Sequence, residues 1–319
     1  MHNSLIVVGV DGSPHSETAV EWAATRARET GARLRLTHAH DLPVPIPTIS
    51  LAAPASPSTA DPAADAARAG EAVLATAVAV AHRHGRDIEV TTDLRVGGAA
   101  PALIDASEQC DLIVVGSRGR GGFTGMLLGS VSVQVSAHAD CPTIVVRDQP
   151  PDAGAVVVGV DDSEAAHTAL AFAFTEAARL GTTVIAVHAW SLPLPTGPGE
   201  AAAAALADDH TRLRYQDAAQ QVLTDALAGC RRQHPTVPVD ERLITGSPVG
   251  ALLEAATAPA LIVVGSRGRG SFTGPLLGST SQSVLRHAPC PVAVIRARQA
   301  VSPNPHHADT RAPQRPTGA

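Results

Sequence analysis

Lysine is absent from this 319-residue chain; all 24 of its basic residues are arginine. That excludes a Walker-type phosphate lysine, a Schiff-base lysine and a lysine-based kinase site. Aromatic residues make up only 2%, so any core must be built from Val, Leu, Ile and Ala. The four cysteines, Cys110, Cys141, Cys230 and Cys290, show no CxxC spacing, which points to neither a disulfide framework nor a zinc site. No apolar run reaches the ~18–20 residues of a membrane span. The opening MHNSLIVVGVDGS lacks the basic-then-apolar order of a secretory signal, so a cytoplasmic location is expected. Thirty acidic residues leave a net charge of -6, and nothing in that balance is a footprint for nucleic acid.

What the chain does have is a repeat. Residues 112–121 read LIVVGSRGRG, and residues 261–270 read the same ten again. A fixed period of ~150 residues signals a duplicated domain. Other segments recur in step: IVVGVDGS at 6–13 with VVVGVDDS at 156–163, and CPTIVV at 141–146 with CPVAVI at 290–295. Domains over 1–148 and 154–297 are expected, joined near the Pro-rich 148–154. The tail, 298–319, is rich in Pro and His without periodicity and is expected to be disordered.

Each half alternates strands and helices. In the first, strands are expected at 5–10, 33–39, 87–95, 112–115 and 143–146. Ser13 suits a helix cap, Pro14 its first turn, and Gly31 its end. Residues 41–62 read as a linker. In the second half a long helix is expected over 200–233, and the remaining order repeats. Near-continuous apolar strands alternating with helices imply an α/β fold with a parallel sheet covered on both faces. With five strands in the order 3-2-1-4-5, ligands bind beyond the carboxyl ends of strands 1 and 4, where the order reverses. The last strands, 143–146 and 292–295, would be sheet edges, so the domains should associate there, and a homodimer is also expected.

The loops at those strand ends carry the candidate chemistry. Gly116 and Gly119 are followed, after nine residues, by Gly129-Ser130; Gly265 and Gly268 are followed in the same way by Gly278-Ser279. Glycines let a backbone approach a ligand closely, and free N–H groups opening a helix favour phosphate. Arg118 and Arg267 add positive charge, as do Arg120 and Arg269. Asp11 and Asp161 end strand 1 of each half and suit a ribose hydroxyl, a base edge or magnesium. The same glycines also suit plain tight turns, the aspartates helix caps, and the arginines solvated surface.

The G-x2-G-x9-G-S spacing, the IVVGVDGS-type opening and the closing Cys-Pro strand together resemble the universal stress protein family in its tandem form. The resemblance spans nearly all of the chain outside the linkers and tail. It implies two flavodoxin-like (Rossmann-like) domains, each binding ATP, with magnesium as a possible companion. Carried over residue by residue, the binding positions are Gly9, Asp11, Gly116, Arg118, Gly119, Gly129 and Ser130. In the second half they are Gly159, Asp161, Gly265, Arg267, Gly268, Gly278 and Ser279. Asp162 stands where the first half has Gly12 and implies unequal sites. The expected role is regulatory binding in a stress response, with a protein partner that the sequence does not name. A slow ATPase and an interaction module without nucleotide stand as alternatives. The histidines of strand 2, His38 and His40, suggest packing rather than metal.

Overall fold

The computed structural model describes residues 4–41, 61–121, 128–147, 154–192, 209–255, 259–268 and 276–297. The first half contains β1 (Leu5–Gly9), α1 (Pro14–Thr30), β2 (Arg33–His40), α2 (Pro62–His84), β3 (Val90–Val96), α3 (Ala99–Ser107), β4 (Leu112–Gly116), α4 (Ser130–His138) and β5 (Thr143–Val146). The second contains β6 (Val156–Gly159), α5 (Glu164–Leu180), β7 (Val184–Trp190), α6 (Asp209–Gln233), β8 (Val239–Thr245), α7 (Pro248–Glu254), β9 (Leu261–Gly265), α8 (Ser279–His287) and β10 (Val292–Ile295). Of the linker expected over 41–62, residues 42–60 lie outside the described residues, while Asp61 caps α2 and Pro62 begins it. The 148–153 connection, the start of the 200–233 helix, the 298–319 tail and Arg269 also lie outside them.

Local chemistry sets the helix ends. Ser13 Oγ accepts from Ser16 N at 3.2 Å, and Pro14 fills the first turn of α1. Gly31 closes the helix with φ 67°, a left-handed conformation that favours glycine. Ser163 and Gly181 repeat the arrangement on α5. β3 begins at Val90, later than the expected 87, because Ile88 turns its N–H back to Gly85 O and buries its side chain.

Within each half the strands are parallel, in the expected order 3-2-1-4-5. The two sheets do not stay separate. β5 pairs with β10 antiparallel, Ile144 opposite Ala293, and a single sheet of ten strands results. One core lies on the face covered by α1, α2, α5 and α6 and includes Leu36, Ile144, Ala169, Leu223 and Ala293. The other lies under α3, α4, α7 and α8 and includes Val115, Val135, Val145, Val284 and Val292. Each therefore draws on both halves. Arg147 donates to Leu285 O at 2.6 Å, and Arg296 to His138 O at 2.7 Å. Each arginine thus crosses the seam to the C-terminal end of the other half's helix, where cations are favoured. The domains associate through their last strands, as expected. Those edges are thereby consumed within the chain, so they give no support to a homodimer.

Among the described residues no helix is long and apolar enough to cross a membrane. Cys141 and Cys290 are buried at the start of their strands. Cys110, which no sequence spacing links to Cys141, lies beside it, with the sulfurs 3.5 Å apart. A hydrogen bond from Cys141 lowers the Cys110 pKa despite its burial, whereas burial pushes the Cys290 thiol up to about 12. In the native protein at pH 8, iodoacetamide should therefore modify Cys110 well before Cys290. Peptide mass spectrometry after a time course reads the order; simultaneous labelling would contradict it.

Candidate functional site

β1 and β4 are neighbours, and the chain leaves their carboxyl ends in opposite directions. Asp11 stands in the gap. Its Oδ1 accepts from Ser13 N at 3.0 Å and its Oδ2 from Arg120 N at 2.8 Å. The carboxylate therefore ties the loop after β4 to the turn after β1. It is not the cap of α1; Ser13 is. Burial alone would raise the Asp11 pKa, but the bonds from Ser13, Arg120 and Ser16 outweigh it and hold the group below its ordinary 3.8. Beside this turn, His38 Nδ1 lies 2.7 Å from Val10 O. A carbonyl only accepts, so Nδ1 carries the proton. His188 does the same for Val160 O. No cluster of three or more metal-ligating side chains occurs among the described residues.

The glycines divide by what surrounds them. A Cβ at Gly116 would lie 2.6 Å from His15 O, so β4 needs glycine to pass beneath the start of α1. One at Gly119 would lie 2.5 Å from Asp11 Oδ2, and one at Gly268 2.6 Å from Asp161 Oδ2. These glycines make room for the aspartate, so alanine there displaces a carboxylate before it meets any ligand. Gly129 differs: its nearest neighbour, Ser117 O, would be at ordinary contact, 3.4 Å. Protein packing does not demand glycine there. Gly12 holds φ 76° and faces Val73 of α2.

Gly129 and Gly278 open the nine-residue helices α4 and α8 with no side-chain cap. By contrast α1, α2, α5 and α7 are capped by Ser13, Asp61, Ser163 and Ser247, although α3, opened by Gly98, also lacks a side-chain cap. Ser132 Oγ donates to Gly116 O at 2.7 Å and Ser281 Oγ to Gly265 O at 2.7 Å, tying each helix to its strand end. Among the described residues no side chain accepts from the first-turn N–H groups at these ends, an arrangement suited to an anion.

A cavity of about 330 Å³ occupies this place in the first domain. Gly9, Asp11, Gly116, Arg118, Gly119, Gly129 and Ser130 all line it. In the second domain Gly159, Asp161, Gly265, Arg267, Gly268, Gly278 and Ser279 line a cavity of about 640 Å³. The fourteen positions singled out in the sequence are thus brought together seven and seven. Asp161 shares the turn half of this anchoring, accepting from Ser163 N at 3.0 Å and from Ser163 Oγ.

The expected source of inequality needs correction. Asp162 is exposed and is not among the residues lining the second cavity, because its side chain leaves the turn toward solvent. The walls differ elsewhere. Thr37 and Ser16 line the first cavity where Val187 and Ala166 line the second, and Val131 is replaced by Thr280. Thr37 is 3% exposed and its Oγ1 has no hydrogen-bond partner among the described residues. Sequence reading missed Thr37, although period-two alternation along β2 puts it on the face opposite Leu36. Trp190 is half-buried and does not line the second cavity.

The chain is similar to known proteins. The model of the universal stress protein family matches residues 3–147 and again 154–296. A universal stress protein of Mycolicibacterium smegmatis is 35% identical over 308 residues, covering 92% of this chain and 97% of that one. One of Mycobacterium tuberculosis is 34% identical over 297 residues, covering 91% and 96%. The crystal structure of a universal stress protein from Archaeoglobus fulgidus superposes with a TM-score of 0.64 at 23% identity, covering 93% of this chain and all of that one; at that identity it speaks for the fold. Two matched units, the full-length relatives and the shared architecture make this chain a tandem member of the universal stress protein family.

Proposed function

We propose that each domain binds one molecule of ATP at the carboxyl ends of its first and fourth strands, and that binding serves regulation in a stress response. One observation carries this reading. The same seven positions line a cavity in both domains, and into each opens a helix without a side-chain cap. The cavity volumes lie in the range of small-molecule sites. The phosphates would meet the helix N-terminus and the arginines bordering the loop, while the apolar wall built by Leu103 and Val115 suits a base.

These residues fit the nucleotide better than a protein-held magnesium. Asp11 is the one acidic side chain lining the first cavity among the described residues, and both its oxygens accept backbone N–H groups. Magnesium would therefore arrive on the phosphates. The same commitment argues for holding ATP rather than turning it over, since a hydrolase needs a group to orient the attacking water. Titration calorimetry tests the reading: two equivalents of ATP should bind with Kd below about 1 mM. No heat at millimolar ATP would favour an interaction module without nucleotide, and ADP release that depends on Asp11 and Asp161 would favour an ATPase.

Thr37 gives a sharper expectation. Thr37→Val removes a buried hydroxyl that has no partner among the described residues, so the free protein should be no less stable. If that hydroxyl bonds the ligand, affinity at the first site should fall about 2- to 10-fold. Thermal unfolding and calorimetry on the same variant read both; unchanged affinity would remove Thr37 from the site.

A further inference from the structure

The seam between the domains carries two kinds of contact. One kind is the same from either side. Ile144 and Ala293, the second residues of β5 and β10, pair with each other, so a pseudo-twofold axis passes between them. Val145 opposite Val292 is mirrored by Thr143 opposite Val294. Arg147 and Arg296 make reciprocal reaches to opposing helix ends. Contacts of this kind would form equally well between two copies of either domain.

The charges on α1 and α5 are of a different kind. Arg26 and Glu176 each lie five residues before the glycine that closes their helix, and Glu29 and Arg179 each lie two before it. Across the axis each meets its own counterpart: Arg26 pairs with Glu176, and Arg179 with Glu29. Arg179 also reaches Glu176 Oε2 at 3.1 Å. At both positions the sign is reversed between the domains. Glu176 is fully buried, and Arg26 and Arg179 are largely so. Glu29 is exposed, so solvent gives little relief to a mismatch at Arg26 and Glu176 and more at Glu29 and Arg179.

We infer that this reversed quartet is a pairing code: each domain's seam fits the other domain and rejects its own kind. Two first domains would set Arg26 against Arg26 and Glu29 against Glu29. Two second domains would bury Glu176 against Glu176. The backbone edges and the arginine caps accept any pairing, so the charges supply the discrimination. The partner that fits is the domain already tethered to the same chain. Association of separate chains through like β5 or β10 edges is discouraged, and each chain closes on itself with its two cavities in a fixed relation.

The full chain can be made to imitate both forbidden pairings. R26E with E29R gives the seam the charges of two second domains. E176R with R179E gives it those of two first domains. Reversing all four restores opposite charges with the roles exchanged. Each double variant should unfold about 5 °C or more below the native chain. Its Thr143–Val146 and Val292–Ile295 amides should exchange faster with deuterium. The fourfold variant should recover most of both losses, and a fourfold variant that folds where the doubles do not would carry the same meaning. Doubles as stable as the native chain, or a fourfold variant no better than the doubles, would overturn the code.

Discussion

Gly116→Ala should destabilise the chain by about 3 kcal/mol, near the upper end for overpacking, whereas Gly265→Ala should cost about 1 kcal/mol. The two glycines sit in identical ten-residue segments, yet their surroundings differ. A methyl at Gly116 would lie 2.6 and 2.7 Å from the O and C of His15 and 3.0 Å from Ser16 N. Those are backbone atoms at the start of α1, so strand or helix must move. At Gly265 the nearest atoms, the carbonyl carbon and Cβ of Ala165 and Arg267 O, lie at 3.1 Å. A shift of a few tenths of an ångström would relieve them. Urea unfolding of both variants measures the difference; equal losses would mean that the two strand–helix crossings are equivalent.

Asp11→Ala should abolish binding at the first site while leaving the second intact. The carboxylate ties the β4 loop back to the β1 turn, through Arg120 N at 2.8 Å and Ser13 N at 3.0 Å. Without it the loop loses its position against α4. We expect affinity at that site to fall at least about 100-fold, or ~2.7 kcal/mol, and stability to fall by about 1–2 kcal/mol. Calorimetric stoichiometry should drop from two to one, and adding Asp161→Ala should bring it to zero. Retention of two sites in the double variant would mean that these aspartates do not shape the pockets. The pH dependence has a definite sign. The folded-state pKa of Asp11 is depressed below 3.8, so its stabilising contribution is complete above that value and is lost as pH falls through the depressed one. In Asp11→Asn, stability should vary less with pH in that acidic window.

Much of this architecture is legible in residue order. Apolar runs of four or five residues between helices gave the parallel sheet, and the position of Asp11 and Gly116 after neighbouring strands gave the switch point. What a one-dimensional pattern hides is which atom each residue answers to. Gly116, Gly119 and Gly129 look alike in the sequence, but the first clears a backbone, the second a carboxylate, and at the third a Cβ would meet its neighbours at ordinary contact. Thr37 reads as an ordinary strand residue until the sheet places it on the cavity wall. Asp162 drew attention as a change of charge, but it points to solvent. The charge quartet was hidden for another reason. Arg26 and Glu176 acquire meaning only when two equivalent helices are set face to face across an antiparallel seam.

The central claim, one adenine nucleotide in each domain, is tested most directly by mass spectrometry. The native chain is incubated with an equimolar mixture of ATP, GTP, CTP and UTP, freed of unbound nucleotide, and denatured. ATP should be released in preference to the others and at close to two molecules per chain. Release of no nucleotide, or of all four without preference, would contradict the account.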